Sequence, residues 1–362
     1  MFSFLQKNYA VGVDFGTSSI KVVELYYRDG KIHLNNYGSV SLDLSDPSES
    51  MKGGLSFEAR RRSYFLALLA KMKIKNQENI FVSMPGFSGL VSLVEFPNMS
   101  DEELSQAIQF EGKKYIPADT NEVALSWDIV KREQRTILEK IEKNKKSEKI
   151  EVLLVAALKK DVAQVESIIQ GTQYKLKAIE LETFSLSRSL VGEDLGTYLI
   201  IDIGFKVCNF ILVHKGIVRA NRNIDIGGNE ITNTIAESMN ITWDRAEQLK
   251  KTGKNFLQDN ELSVVFPSLD LVVNESKRIL VAFQEKNSQL KVDKIILSGG
   301  SSGLSGLSTF FQQKFGIESE IGDPWRKISF DESVEKHIRR MGASYSVAIG
   351  LALRGIEEYQ RS

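Results

Sequence analysis

One arrangement occurs twice in this chain, and the repetition limits its fold more than any other feature. The strand-like stretch Tyr9 to Phe15 carries Asp14-Phe15-Gly16 at its end, turns, and leads into two further strand-like stretches, Ile20 to Tyr26 and Lys31 to Leu42. About 190 residues later Tyr198 to Ile203 carries Asp202-Ile203-Gly204, turns, and leads into Cys208 to His214 and Gly216 to Asn223. A duplication at this distance implies two similar lobes. At 362 residues the chain is also too long for one ordinary core.

Between and after the repeats the pattern alternates. Phe65, Leu66, Leu69 and Met72 fall at helical spacing and predict a helix over Phe57 to Met72, followed by a strand over Asn79 to Met84. From 87 to 178 the order changes to strand, helix, strand, strand, helix, strand. Ser100 and Glu103 form a capping box at the first of these helices, and an inserted α+β subdomain is expected there. The charge-dense run Lys131 to Lys149 within it reads as a hairpin connection or a short surface helix. The expected division is 1–86, 179–196 and 340–362 for the first lobe, 87–178 for the insert, 197–239 and 293–339 for the second lobe, and 240–292 for its smaller subdomain.

The repeated turns carry the chemistry. In Asp14 to Lys21, Gly16 removes side-chain bulk, Thr17, Ser18 and Ser19 supply hydroxyls beside successive backbone N–H groups, and Lys21 adds a point charge, a combination suited to phosphate oxygens. Asp14 is suited to hold Mg²⁺ through water, because magnesium sheds its waters reluctantly. The second turn repeats Asp202 and Gly204, with Phe205 and Lys206 following. Two such loops brought together would grip one triphosphate from opposite sides, with Mg²⁺ between Asp14 and Asp202.

A third element, Lys294 to Leu304, is an apolar strand ending in Gly299, Gly300 and Ser301 before a helix, which lets a base and ribose approach the backbone. Gly227, Gly228 and Glu230, and the pair Glu275 and Arg278 on a helix over Leu269 to Phe283, are further candidates for the adenosine end. The same residues also read as a helix N-cap and a surface ion pair.

Composition excludes other classes. The 47 basic and 47 acidic side chains cancel, so no global field draws the chain to nucleic acid or anionic lipid. The one cysteine, Cys208, excludes an internal disulfide and fits a reducing, cytoplasmic setting. No apolar run approaches the roughly 18 residues of a spanning helix. The start, Met1 to Asn8, reads as a frayed terminus or a single amphipathic turn. His33, His214 and His337 have no ligand spacing, and Trp127, Trp243 and Trp325 lie far apart; none is assigned a site.

These loops resemble those of the superfamily of actin, the Hsp70 chaperones and the sugar kinases, across nearly the whole chain. The resemblance implies an α/β actin-like ATPase fold of two RNase H-like lobes that binds ATP with Mg²⁺. An insert at this position is similar to that of the FtsA and PilM families. The phrases Val11 to Leu25, Phe96-Pro97 with Glu102-Glu103-Leu104 and Tyr115-Ile116-Pro117, and Ser344 to Arg354 resemble the PilM family of type IV pilus assembly. The run Gly355 to Ser362 offers no membrane-targeting amphipathic helix of the FtsA kind.

The PilM resemblance implies an ATP-binding cytoplasmic scaffold, peripheral at the inner membrane. It would grip the N-terminal cytoplasmic peptide of a PilN-like membrane protein between the first lobe and the insert, with ATP state modulating the grip. Contacts with other pilus assembly components and self-association stay open, and no nucleic acid is expected. Phe205-Lys206 replaces a glycine kept by the fast hydrolases, so slow turnover is expected. An FtsA-like cell-division role and a small-molecule kinase of the sugar-kinase branch are the alternatives.

Overall fold

The computed structural model describes residues 8–42, 57–74, 79–111, 114, 122–132, 149–257, 264–287 and 290–361. The expectations for Met1 to Lys7, for Tyr115 to Pro117 and for most of Lys131 to Lys149 lie outside them.

The first lobe opens with β1 (Asn8–Phe15), β2 (Ser19–Arg28) and β3 (Lys31–Ser41), an antiparallel meander. Asp29 and Gly30, both at positive φ, make the tight turn between the last two. Helix α1 (Phe57–Met72) buries Phe65, Leu68, Leu69 and Met72 against this sheet, and β4 (Ile80–Met84) then pairs parallel to β1. The chain next leaves the lobe for β5 (Gly89–Pro97), α2 (Asp101–Glu111), β6 (Val123–Arg132) and β7 (Lys149–Leu158). These strands form a separate sheet in the order β5-β7-β6. Alternate residues of β7, Ile150, Val152 and Leu154, face Leu104 and Ile108 of α2, so one face of the insert has its own core. The expected capping box opens α2: Ser100 N–H donates to Glu103 Oε2 at 2.9 Å and Glu103 N–H to Ser100 Oγ at 3.3 Å.

Helix α3 (Lys159–Ile169) and β8 (Leu176–Leu181) return to the first lobe. Val165, Ile168 and Ile169 join the core under α1, and β8 pairs parallel to β4. The sheets therefore close the insert near Leu158, not at 178. The alternation of strand and helix runs on unbroken through this region, and only long-range pairing assigns β8 to its sheet.

After α4 (Glu182–Leu190), the second lobe repeats the plan with β9 (Thr197–Ile203), β10 (Cys208–His214) and β11 (Ile217–Ile224). Its second turn again uses two residues at positive φ, Lys215 and Gly216. Helices α5 (Gly228–Met239), α6 (Trp243–Lys250) and α7 (Pro267–Lys286) lead to β12 (Lys294–Ser298), α8 (Leu307–Phe315) and β13 (Glu318–Ile321). The sheet order β11-β10-β9-β12-β13 matches β3-β2-β1-β4-β8 strand for strand, which completes the duplication seen in the sequence. Two similar α/β lobes with an inserted α+β unit are the architecture anticipated from it.

The last elements, β14 (Ile328–Ser329), α9 (Glu332–Met341) and α10 (Ser346–Arg361), cross back to the first lobe. β14 pairs with β3, so the return begins before residue 340. Helices α4 and α10 lie between the two sheets in one apolar core containing Leu186 and Leu190, Ala348 and Leu351, Phe81 of the first lobe and Ile200 of the second. Their backbones nearly touch: a Cβ on Gly350 would sit 2.0 Å from the Ser185 carbonyl oxygen. Glycine is required there by contact, and the N-termini of both helices point toward the same cleft.

Candidate functional site

The cleft holds about 1030 Å³, counting the part open to solvent, and is lined from both lobes. From the first come Asp14, Phe15, Gly16, Thr17, Ser18, Ser19 and Lys21; from the second Asp202, Gly204, Phe205 and Val207. Gly299, Gly300 and Ser301 close another side. Three elements read separately in the sequence thus meet in one space.

Both aspartates are buried, and their settings differ. Asp14 accepts from the Ser83 hydroxyl at 3.2 Å, and Lys21 lies directly across the hairpin with Nζ 3.6 Å from Asp14 Oδ2. Asp202 stands across its own hairpin from Asn209, which carries no charge. Burial raises the Asp202 carboxyl to about 6; a hydrogen bond from Ser298 opposes the rise, and the Asp14 charge adds to it.

Between the two aspartates, at the first turn of α4, lies Glu182. Asn209 Nδ2 donates to its Oε2 at 3.2 Å. Burial, then the charges of Asp14 and Asp202, push Glu182 well above the ordinary carboxylate range, against hydrogen bonds from Gly86 N–H and Asn209. A carboxyl placed so keeps its proton to higher pH and can orient a water in the cleft.

The loops are fixed from behind. The Arg61 guanidinium of α1 donates to the carbonyls of Phe15 and, at 3.2 Å, Gly16, and its carbon lies 5.1 Å from the centre of the Phe15 ring. Gly299 has φ +88°, and a Cβ there would meet the Ile203 carbonyl oxygen at 2.4 Å, so the third loop approaches the second only as glycine. Gly299 N–H donates to the Ala343 carbonyl at 3.4 Å, tying that loop to the turn before α10.

The far end contains residues the sequence did not single out. Glu247, Lys250 and Lys251 of α6 and the segment after it line the cleft. Lys250 Nζ is buried and bonds Gly228 O at 3.0 Å, Thr232 Oγ1 and Glu247 Oε2, the last two at 2.7 Å. Burial lowers the Lys250 pKa, which Glu247 opposes.

Some expected residues are placed elsewhere. Lys206 is exposed on the second turn and is not among the lining residues, because the turn directs it outward. Glu230 accepts from Gly227 N–H at 2.8 Å and caps its own helix. Gly227 and Gly228 act as backing: Gly228 N–H donates to Gly204 O at 2.8 Å, and a Cβ on Gly228 would lie 2.0 Å from Ser301 Oγ. Glu275 pairs with Arg222 of β11 at 2.7 Å and with Arg278 at 3.3 Å, away from the cleft, and Arg278 is exposed. The helix-cap and ion-pair readings hold for these residues.

The donor set has the chemistry of a site for a hydrated divalent cation. Asp14, Asp202 and Glu182 face one space, and among the described residues no donor reaches the buried Asn209 Oδ1. Among those residues no three carboxylate, histidine or cysteine side chains converge closely enough to ligate a metal directly. These groups fit an ion held through its waters.

Comparison with known proteins bears on the fold and the family. A PilM–PilN type IV pilus biogenesis complex shares the fold at TM-score 0.77 and 24% identity, over 96% of this chain and 98% of that one. A double helical filament of MamK matches at TM-score 0.51 and 12% identity, over 96% of this chain and 98% of that one. The ethanolamine utilization protein EutJ from Carboxydothermus hydrogenoformans matches at 0.50 and 14%, over 97% and 91%. The family model for type IV pilus assembly protein PilM matches residues 12–356. The chain therefore belongs to the PilM family of type IV pilus assembly proteins, with an actin-like fold.

Proposed function

We propose that this protein is an ATP-binding scaffold of pilus assembly that grips the N-terminal cytoplasmic peptide of a PilN-like membrane protein. The observation that carries the nucleotide half is the meeting of Asp14, Asp202, Lys21 and Gly299 to Ser301 in one cleft. In this reading the Gly16 to Ser19 turn and Lys21 take the phosphates, and Asp14 and Asp202 hold Mg²⁺ through water. Glu247 and Lys251 face the ribose, and Gly299 to Ser301 face the base. Mg²⁺, when bound, would supply neutralisation of the phosphate charge. Glu182 orients a water; its raised pKa makes it hold a proton longer as pH rises, in keeping with slow turnover.

The peptide half is supported by a second groove of about 1250 Å³, counting the part open to solvent, between the insert and the first lobe. Five consecutive residues of β6, Ala124 to Asp128, line it with Leu153 and Val155 of β7, Ile179, Leu181 and Phe184. Among the described residues β6 pairs only with β7, and its other edge and the apolar walls suit an extended peptide. The floor is a buried ion-pair network in which Arg188 and Arg354 hold Glu180 at 2.8 to 3.0 Å. Among the described residues no helix is long and apolar enough to cross a membrane, and the partner would supply the membrane attachment.

The test is calorimetric titration of a synthetic PilN N-terminal peptide into wild type and Leu153→Arg, a change on the groove face of β7. Micromolar binding in wild type, weakened about tenfold or more by the substitution, supports the groove. Equal binding in both proteins overturns it.

A further inference from the structure

We propose that the ion pair between Glu151 of β7 and Arg219 of β11 is a latch that passes the position of the second lobe to the inserted sheet. The proposal rests on the groove reading above only in naming what the sheet's movement affects.

Arg219 Nη1 donates to Glu151 Oε1 at 2.7 Å, with the side chains 20% and 21% exposed. One residue belongs to the insert and the other to the outer strand of the second lobe, so the pair joins units with separate cores. Glu151 shares its face of β7 with Leu153 and Val155, which line the groove. A shift at Glu151 is therefore a shift of the groove wall.

The insert is attached to the cleft at its other end. Pro85 and Phe87 line the cleft, Gly86 N–H bonds Glu182, and Gly89 then begins β5, which pairs with β7 through Glu95 and Glu151. The groove's opposite wall, Ile179 and Leu181, is fixed in the first sheet. When the lobes move, the sheet either follows Arg219 or breaks from it.

The seam is built to part. Arg219 Nε and Asn221 Oδ1 are buried there without a partner among the described residues, whereas a permanently packed interface satisfies nearly all such atoms. A seam that opens and hydrates has less to lose.

The test uses the full chain as wild type, Glu151→Gln, Arg219→Gln and the reversed pair Glu151→Arg with Arg219→Glu. Hydrogen exchange of residues 123–130 and 149–158 is followed with and without Mg²⁺-ATP, and the PilN peptide is titrated in both states. In wild type, nucleotide is expected to change exchange in these strands and to shift peptide affinity by about fivefold or more. Each single variant should lose most of both responses while binding nucleotide normally, and the reversed pair should regain them. Nucleotide responses that persist in both single variants overturn the latch. If wild type binds no peptide, the groove reading fails, and the exchange response alone then decides the latch.

Discussion

The two Asp-x-Gly turns have the same backbone and different side chains. In the first, Phe15 pairs with Ile20 and Asp14 with Lys21; in the second, Ile203 pairs with Cys208 and Asp202 with Asn209. Each turn therefore holds four residues in the same register. The first fills them with Gly16, Thr17, Ser18 and Ser19 and sets a lysine opposite its aspartate. The second uses Gly204, Phe205, Lys206 and Val207 and sets an asparagine there. Duplication preserved the frame, and divergence gave the first lobe three hydroxyls with a lysine opposite its aspartate and left the second an aspartate with an asparagine opposite it.

The comparison breaks most sharply at Asp14. Asp14→Ala should weaken Mg²⁺-ATP binding by about 100-fold, because it removes one of the two carboxylates proposed to hold the ion and leaves Lys21 without its partner in the cleft. Calorimetry at neutral pH measures this.

Asp202 sharpens the contrast through pH. Its folded pKa of about 6 lies above the ordinary 3.8, so its contribution to stability is full below 3.8 and is lost as pH rises through 6. Glu182 has the same sign. The cost above pH 6 for Asp202 is about 3 kcal/mol. Asp202→Asn should therefore raise the melting temperature of the nucleotide-free protein by several degrees at pH 7 and by little at pH 4.

Supplying the missing cation is a subtler change. Asn209→Lys should pull the Asp202 pKa down and flatten the pH dependence of binding, which titrations between pH 5 and pH 8 would reveal. The smallest effect is expected at Phe205, whose ring lies 6.2 Å from Trp243 in an edge contact. Phe205→Gly should change ATP affinity by about threefold or less; indole fluorescence of Trp243 reports it.

The sequence carried the parts of this account that local pattern encodes. Paired Asp-x-Gly hairpins, the Gly299-Gly300 turn and the Ser100–Glu103 box are each written in a few adjacent residues. Glu182 was not legible, since a glutamate starting a helix is ordinary and its meaning comes from aspartates brought near by two other strands. Asn209 sits inside an apolar strand, and Glu247 with Lys250 has the spacing of any surface ion pair. The same ambiguity misdirected Glu275 and Arg278: spacing of three gives a shared helix face but does not say which face meets the cleft. The end of the insert was misplaced for a related reason, because β8 pairs with β4 across nearly a hundred residues of chain.

The central claim is that the two turns hold one hydrated metal–nucleotide between unequal aspartates. Mg²⁺-ATP titration of wild type, Asp14→Asn and Asp202→Asn at pH 7.5 and pH 5.5 tests it most directly. The account predicts tight wild-type binding at pH 7.5, weakened at pH 5.5 as Asp202 protonates, and weak binding at both pH values in either variant. Wild-type affinity unchanged by pH, together with undiminished binding in both variants, would contradict it.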